Sequence, residues 1–260
     1  MNKTYKVRAT RTGALQVVSE LTSSVAAIGT KTVVTVATTM VAGAAIAAIP
    51  TVPSGEDTKT VKTPIDWSAV AEGNYQNFVF EGAEGTGNSA LLSASESGIF
   101  AKTMFVIGDA KEYGTGIWIS GDKVTATNTG TIYVQGKVAD SAAATSWQLH
   151  GMGAANGATA VNQGTIEADN AYGMYVGKGS GSSSTIINDT TGVIRVTTQG
   201  AGMELGAASG NKAINRGTIT VEAPAADKIN DYQFTHGVLI QESSGNEFTN
   251  YGTIDATYVS

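Results

Sequence analysis

The stretch Asn215-Arg216-Gly217-Thr218-Ile219 is one of five copies of a single motif along the chain. Three other copies keep the Asn-x-Gly-Thr-Ile form, and the copy at residues 188–194 is a longer variant that ends in Gly-Val-Ile. The copies begin at Asn128, Asn162, Asn188, Asn215 and Asn250, with spacings of 34, 26, 27 and 35 residues. Because the spacing changes only between motifs, the sequence predicts equal structural units with loops inserted into them.

Apolar and polar residues alternate after each Asn motif, with the period of a half-buried strand. The predicted inward pairs are Ile132/Val134, Ile166/Ala168, Ile194/Val196, Ile219/Val221 and Ile254/Ala256. A further inward position lies two residues before each Asn, at Ala126, Ala160, Ile186, Ala213 and Phe248. A third block, Gly-x-x-x, occurs at residues 116–119, 151–154, 173–176, 202–205 and 237–240, and its third residue is predicted to point outward.

Three short strands per repeat are typical of one β-helix coil, which buries its apolar side chains by stacking on neighbouring coils. The sequence therefore predicts an all-β fold, a right-handed parallel β-helix of about 5–7 coils with an N-terminal cap. Inside it we expect an asparagine ladder, made of the five motif asparagines, and an isoleucine ladder of Ile132, Ile166, Ile194, Ile219 and Ile254. The motif glycines are expected to take the left-handed conformation of a sharp corner.

An antiparallel sandwich with Asn-x-Gly hairpin turns is the alternative fold. Hairpins would not repeat one inward and outward register over about 30 residues, which is a repeat length typical of solenoids. The β-helix is therefore the preferred interpretation.

Four regions are predicted along the chain. Residues 1–47 form an extended signal peptide, residues 48–64 a flexible leader, residues 65–113 the N-terminal cap and first coils, and residues 114–260 the β-helix repeats. The aromatic-rich segment 65–113 lacks the Asn motif, and an uncovered solenoid end would aggregate, which is why we assign the cap to it.

The N-terminal region has the order of a secretory signal, with basic residues followed by an uncharged apolar stretch over residues 33–49. The small residues Ala45, Ala47 and Ala48 predict the cleavage site, which we place after Ala47. A transmembrane anchor is the alternative, but it normally needs about 20 strongly apolar residues, and this stretch contains several threonines.

Two further blocks resemble known elements. Residues 1–3 (Met-Asn-Lys), 5–7 (Tyr-Lys-Val) and 17–21 (Val-Val-Ser-Glu-Leu) resemble the extended signal peptide region of type V secretion systems, although Ala9 and Gln16 stand where that family usually has aromatic residues. The Asn-x-Gly-Thr-Ile repeats are similar to those of autotransporter passengers. These resemblances imply export through the general secretion machinery and an outer-membrane β-barrel to the cell surface of a Gram-negative bacterium. Two-partner secretion is a competing route, but its Asn-Pro-Asn motifs are missing.

Composition and spacing point away from several kinds of chemistry. The chain has no cysteine, and basic residues concentrate near its start, so the remainder is more acidic than the formal net charge of −6. An acidic surface disfavours nucleic acid as a partner. His150 and His236 are interpreted as turn residues without a catalytic partner, and Glu167 and Asp255 are predicted to lie too far apart to act together. We therefore expect no catalytic residue, no cofactor and no metal ion.

The sequence predicts a non-enzymatic surface adhesin, autoaggregation factor or stalk. The expected partners are a host surface, host matrix or like molecules on neighbouring cells, reached through the outward residues Trp118, Tyr133, Tyr175, Leu239 and Tyr251. The alternatives are a β-helical polysaccharide lyase or hydrolase and a purely structural spacer.

Overall fold

The computed structural model describes residues 5–9, 15–19, 49–72, 75–81, 83–84, 90–108, 112–136, 149–176, 183–206, 209–223, 235–240 and 245–258. The chain divides into two compact units, Met1–Ala47 and Ala48–Ser260. In the first unit, β1 (Tyr5–Ala9) pairs antiparallel with β2 (Leu15–Ser19). No helix in the described part of the chain has the length and apolarity needed to cross a membrane.

The second unit consists mainly of three sheets. The six-stranded sheet contains β7 (Gly98–Phe100), β10 (Thr125–Asn128), β13 (Thr159–Asn162), β16 (Thr185–Asn188), β19 (Lys212–Asn215) and β22 (Glu247–Asn250). The eight-stranded sheet contains β3 (Thr58–Val61), β4 (Asn77–Glu81), β8 (Thr103–Gly108), β11 (Thr131–Gly136), β14 (Thr165–Asp169), β17 (Val193–Thr197), β20 (Thr218–Ala223) and β23 (Thr253–Tyr258). The seven-stranded sheet contains β5 (Ala83–Glu84), β6 (Ala90–Ala94), β9 (Glu112–Ser120), β12 (Leu149–Ala155), β15 (Tyr172–Val176), β18 (Gly200–Leu205) and β21 (Thr235–Ile240).

The chain visits the three sheets in turn, once per coil. The strands β9, β10 and β11 make one coil, and β12, β13 and β14 make the next, paired to it in parallel and in register. The six-stranded sheet receives one strand from each coil, so it marks six coils from β6–β8 to β21–β23. Apart from the short β5, which pairs antiparallel with β9, the sheets of this unit are parallel. The predicted all-β class and parallel β-helix are confirmed.

The core lies inside the coils, where equivalent residues stack in columns. Met104, Ile132, Ile166 and Ile194 follow one another in the pairing register, and all are fully buried. Full burial of such a side chain contributes about 1.5–3 kcal/mol relative to an exposed position. In the last described coil Ile254 is only partly buried, and the coil that contains Ile219 packs against one side of it.

The N-terminal cap is built from aromatic residues and the short helix α1 (Trp67–Ala71). The Asp66 carboxylate caps this helix by accepting a hydrogen bond from the Ala69 amide at 3.0 Å. The Trp67 ring packs directly against Gly98 of β7, and its Nε1 donates to the Glu96 carbonyl at 2.8 Å. Phe78 and Phe100 meet edge to face with ring centroids 6.1 Å apart. These contacts close the first coil.

The motif glycines have a different role from the one expected. None of them has a positive φ; the left-handed conformation occurs elsewhere, for example at Asn156 and Gly157. A Cβ atom on Gly164 would overlap the carbonyl oxygen of Gly130 in the preceding coil, and one on Gly217 would overlap that of Gly192. The left-handed prediction was therefore wrong: glycine is required because successive coils approach too closely for any side chain.

Candidate functional site

The asparagines of the repeat stack inside one corner of the coils. Each side chain donates from Nδ2 to Oδ1 of the next, over 2.9 Å from Asn128 to Asn162, 2.9 Å to Asn188, 2.8 Å to Asn215 and 2.7 Å to Asn250. The first four side chains are completely buried, whereas Asn250 is exposed. All four bonds run in the same direction along the solenoid. This network satisfies buried amides and is not available to a ligand.

The five isoleucines of the motif also share one column, with Ile132 beside Ile166, Ile194, Ile219 and Ile254 in the strand register. Both ladders are internal, so side chains of the sheets that could contact a partner lie on the outer faces. The predicted cleavage residues Ala45, Ala47 and Ala48 lie outside the described residues.

On the outer face of the six-stranded sheet, two columns of side chains run parallel to the solenoid axis. The first column, here called the aliphatic column, consists of Ile99, Thr127, Val161, Ile187, Ile214 and Thr249. The second column consists of Thr125, Thr159, Thr185, Lys212 and Glu247. Ile99 is 66% exposed, and the other aliphatic residues are partly exposed. Sequence analysis did not identify this face. The residues on either side of each predicted inward residue, from Ala126 to Phe248, point outward by alternation and would have indicated it.

The outer face of the eight-stranded sheet is more polar. Phe105 and Tyr133 stack with ring centroids 5.0 Å apart, and Arg195 Nη1 donates to Glu167 Oε1 at 2.9 Å. Burial, reinforced by the nearby Glu167 carboxylate, raises the pKa of the Tyr133 hydroxyl, while Arg195 opposes the shift. Glu167 and Asp255 share this column but lie three strands apart. That corresponds to about 14 Å, so these two carboxylates cannot act on one bond.

The seven-stranded sheet carries an outward cluster that sequence analysis missed. His150 stacks on Tyr172 and Tyr175, with ring centroids 5.3 and 4.5 Å away, and its Nε2 lies 3.8 Å from Glu204 Oε2. His150 is only 7% exposed and Glu204 only 9%, although Glu204 lies in register with the outward residues Tyr175 and Leu239. The Nε2 atom of His150 has no hydrogen-bond partner among the described groups.

His236 lies on the same sheet, beside Ala201 in the register. Burial lowers the pKa of the His236 imidazole, and the charge of Glu204 partly opposes this shift. Burial, with a smaller effect from Glu204, raises the pKa of the Tyr172 hydroxyl well above its usual range. Both histidines lie within strands, His150 in β12 and His236 in β21, so their interpretation as turn residues was wrong. Each also has the Glu204 carboxylate nearby. Glu204 lies two coils along from His150 in this sheet.

The outward residues predicted to bind partners differ in exposure. Tyr251 is 74% exposed, whereas Trp118, Tyr133, Tyr175 and Leu239 are only partly exposed. Within the described ranges, no three His, Cys, Asp or Glu side chains come close enough to hold a metal ion together.

Comparison with known proteins gives one family. The family described as the BigA third pectate lyase-like domain matches residues 83–172 and, a second time, residues 164–244. These two matches together span most of the coils. No curated protein and no solved structure matches the chain significantly.

Proposed function

This chain belongs to the family of the BigA third pectate lyase-like domain, and we propose that it is the β-helical part of an exported bacterial surface protein that acts in adhesion. The observation that carries the proposal is the aliphatic column on the six-stranded sheet, in which four of six side chains are aliphatic. Ile99 is exposed, and Val161, Ile187 and Ile214 are partly exposed. Exposed apolar patches on soluble proteins mark contact surfaces. The asparagine ladder belongs to the same sheet and links five of its strands by side-chain hydrogen bonds.

The proposed activity is binding rather than catalysis. A pair of glycosidase carboxylates must lie within about 10 Å of each other, and Glu167 and Asp255 are separated by about 14 Å along the sheet. Glu167 is also engaged by Arg195. These two carboxylates therefore do not form a glycosidase site, and the proposed roles are those of an adhesin, an autoaggregation factor or a stalk.

The adhesion proposal is tested by displaying the full gene product on bacteria that lack it. Displaying cells should settle faster from suspension or bind host matrix or host cells more than cells carrying the empty vector. Equal settling together with equal binding would contradict an adhesive role. A variant that lacks one whole coil, residues 162–187, distinguishes an adhesin from a structural spacer. If the chain is only a spacer, cells displaying this variant should settle and bind as the wild-type cells do.

The proposed export route has its own test. We propose passage through the general secretion machinery and an outer-membrane β-barrel, with cleavage after Ala47. Mass spectrometry of the surface-exposed protein should find an N-terminus at Ala48. A chain that keeps its first 47 residues at the surface would contradict cleavage.

A polysaccharide lyase or hydrolase is the second candidate, and the His150–Glu204 pair favours it, because an imidazole and a carboxylate, two group types used in acid–base catalysis, lie 3.8 Å apart there. Incubation with acidic polysaccharides should then release unsaturated sugars or new reducing ends. Glu204→Gln should abolish that release, while Glu167→Gln should not. Absence of products from a panel of acidic polysaccharides rejects this candidate.

A further inference from the structure

One corner of the solenoid carries a residue in the left-handed conformation at the same place in four coils. Each lies two residues before a strand of the six-stranded sheet: Lys123 (φ 61°), Gly157 (φ 87°), Gly210 (φ 76°) and Gly245 (φ 73°). A side chain is strained in this conformation, so the corner favours glycine. The geometry of the stacked coils therefore accounts for Gly157.

The residue before Gly157 is an asparagine, and Asn156-Gly157 is the only Asn-Gly pair in the sequence. Asn156 is exposed and is also left-handed, with a φ of 54°. The Ala158 amide donates to the Ala155 carbonyl at 3.1 Å and closes a tight turn around the pair. Positive φ angles at both central residues are those of a type I′ turn, for which Asn-Gly is the preferred sequence.

An asparagine followed by glycine has the groups needed to modify itself. The backbone nitrogen of Gly157 attacks the side-chain carbonyl carbon of Asn156 and forms a five-membered succinimide ring. The proton of the Gly157 amide ends on the departing side-chain nitrogen, which leaves as ammonia. Water then opens the ring at either carbonyl and yields aspartate or isoaspartate. A side chain on the following residue would hinder the attack, and glycine has none.

Serine hydroxyls from both neighbouring coils hold the two groups that would react. Asn156 Nδ2 donates to Ser120 Oγ of the preceding coil at 2.8 Å. The Gly157 amide donates to Ser184 Oγ of the following coil at 3.1 Å. Ser184 is only 2% exposed, and its own amide donates to Asn211 Oδ1 at 2.9 Å, which fixes it within the stack. The attack therefore requires at least the bond to Ser184 to break.

We propose that Asn156 is a site of spontaneous deamidation and that Ser120 and Ser184 are positioning residues that slow the reaction. The exposure of Asn156 admits the water that opens the ring. Exposure alone does not create such a site, because Asn250 is also exposed but is followed by the bulky Tyr251. Asn156 should therefore react before Asn250.

The products weaken the contacts between coils at this corner. Aspartate and isoaspartate both lack the amide that donates to Ser120, and both add a negative charge. Isoaspartate also adds one carbon atom to the backbone of the turn, which displaces the Gly157 amide from Ser184. We therefore expect aged protein to have a lower Tm than fresh protein.

The site is tested by ageing the purified full chain in mildly alkaline buffer and mapping its peptides by mass spectrometry. The mass gain of an amide converted to an acid should appear at Asn156 before Asn250, and Tm should fall as it accumulates. Asn156→Gln is the control, because glutamine would have to close a larger ring, and its Tm should stay constant. Earlier conversion of Asn250, or an unmodified Asn156 after a peptide of residues 152–160 has reacted for several half-lives, would overturn the proposal.

The role of the serines is tested by removing one hydroxyl at a time. Ser120→Ala and Ser184→Ala should each raise the rate of conversion at Asn156 about twofold to tenfold, the factor that corresponds to one ordinary hydrogen bond. The matched control is Ser97→Ala, which removes a hydroxyl that accepts from the Thr125 amide at 2.9 Å in the same way. Unchanged rates in the first two variants, or an equal increase in the control, would overturn the positioning role.

Unfolding in urea guards against effects of misfolding. Wild type and both serine variants should react at one common, faster rate once unfolded, because the hydroxyls then hold neither group. A difference between the variants that persists in the unfolded chains, or a wild-type rate that does not rise on unfolding, would overturn the claim that the folded corner restrains Asn156.

Discussion

Replacing Asn188, the central member of the asparagine ladder, by leucine should destabilise the solenoid. Asn188 is fully buried; its Nδ2 donates to Asn215 Oδ1 at 2.8 Å and to the Thr218 carbonyl at 3.2 Å, and its Oδ1 accepts from Asn162 at 2.9 Å. Leucine has a similar volume but forms none of these bonds. Two neighbouring buried amides each lose a partner, at about 1–3 kcal/mol for each group left unsatisfied. Because the added apolar area offsets part of this, we expect a net loss of about 2–4 kcal/mol.

The matched control is Asn250→Leu in the last described coil. Asn250 is exposed, so water can replace the bond that Asn215 Nδ2 loses, and Asn215 still donates to the Thr253 carbonyl at 3.2 Å. The expected loss is below about 1 kcal/mol. Urea unfolding followed by circular dichroism measures both variants, with the slope m checked because solenoids can lose two-state behaviour. Equal losses at the two positions, or an unchanged Asn188→Leu protein, would refute the claim that buried amide pairing stabilises the stack.

Three further predictions concern stability. Gly217→Ala should lower the free energy of unfolding by about 1–3 kcal/mol, and with it the urea midpoint, because the alanine Cβ would overlap the Gly192 carbonyl oxygen. An unchanged midpoint would show that neighbouring coils can move apart to admit a methyl group. Tyr172 has a raised pKa in the folded chain, so the unfolded state loses its proton first above about pH 10 and stability falls there; Tyr172→Phe should flatten this alkaline decline in Tm. His236 has a lowered pKa, so the unfolded state binds a proton first below about pH 6.5 and stability falls in acid; His236→Gln should reduce that slope, and an identical acid profile would count against burial as its cause.

The fold could be read from the sequence because every coil repeats the same chemistry at the same register. Positions such as Ile194 and Ile219 sit in strands whose alternation is visible locally, and parallel stacking then brings equivalent residues together. The corner glycines show the limit of that reasoning. A glycine required by a positive φ and a glycine required by a close neighbour look identical in sequence, and only the stacked coils distinguish them.

The outer-face cluster could not be predicted for a related reason. His150 and Glu204 belong to coils separated by the coil of Tyr172 and Tyr175, and their contact depends on side chains that reach across it. Alternation in the Gly block places Glu204 on the outer face but does not indicate which side chains cover it. Burial of the outward Glu204 is thus a tertiary effect without a local signal.

The hydrogen bonds between coils run along the solenoid axis, and this direction has a mechanical consequence. Tension applied along the axis loads the bonds of one coil at a time, so the solenoid should peel open stepwise rather than rupture at once. Each step frees a segment of 26 to 35 residues, which extends to about 90–120 Å at 3.3–3.6 Å per residue. Each step would therefore shorten the stack by only about 4.8 Å while it releases an extended segment many times longer.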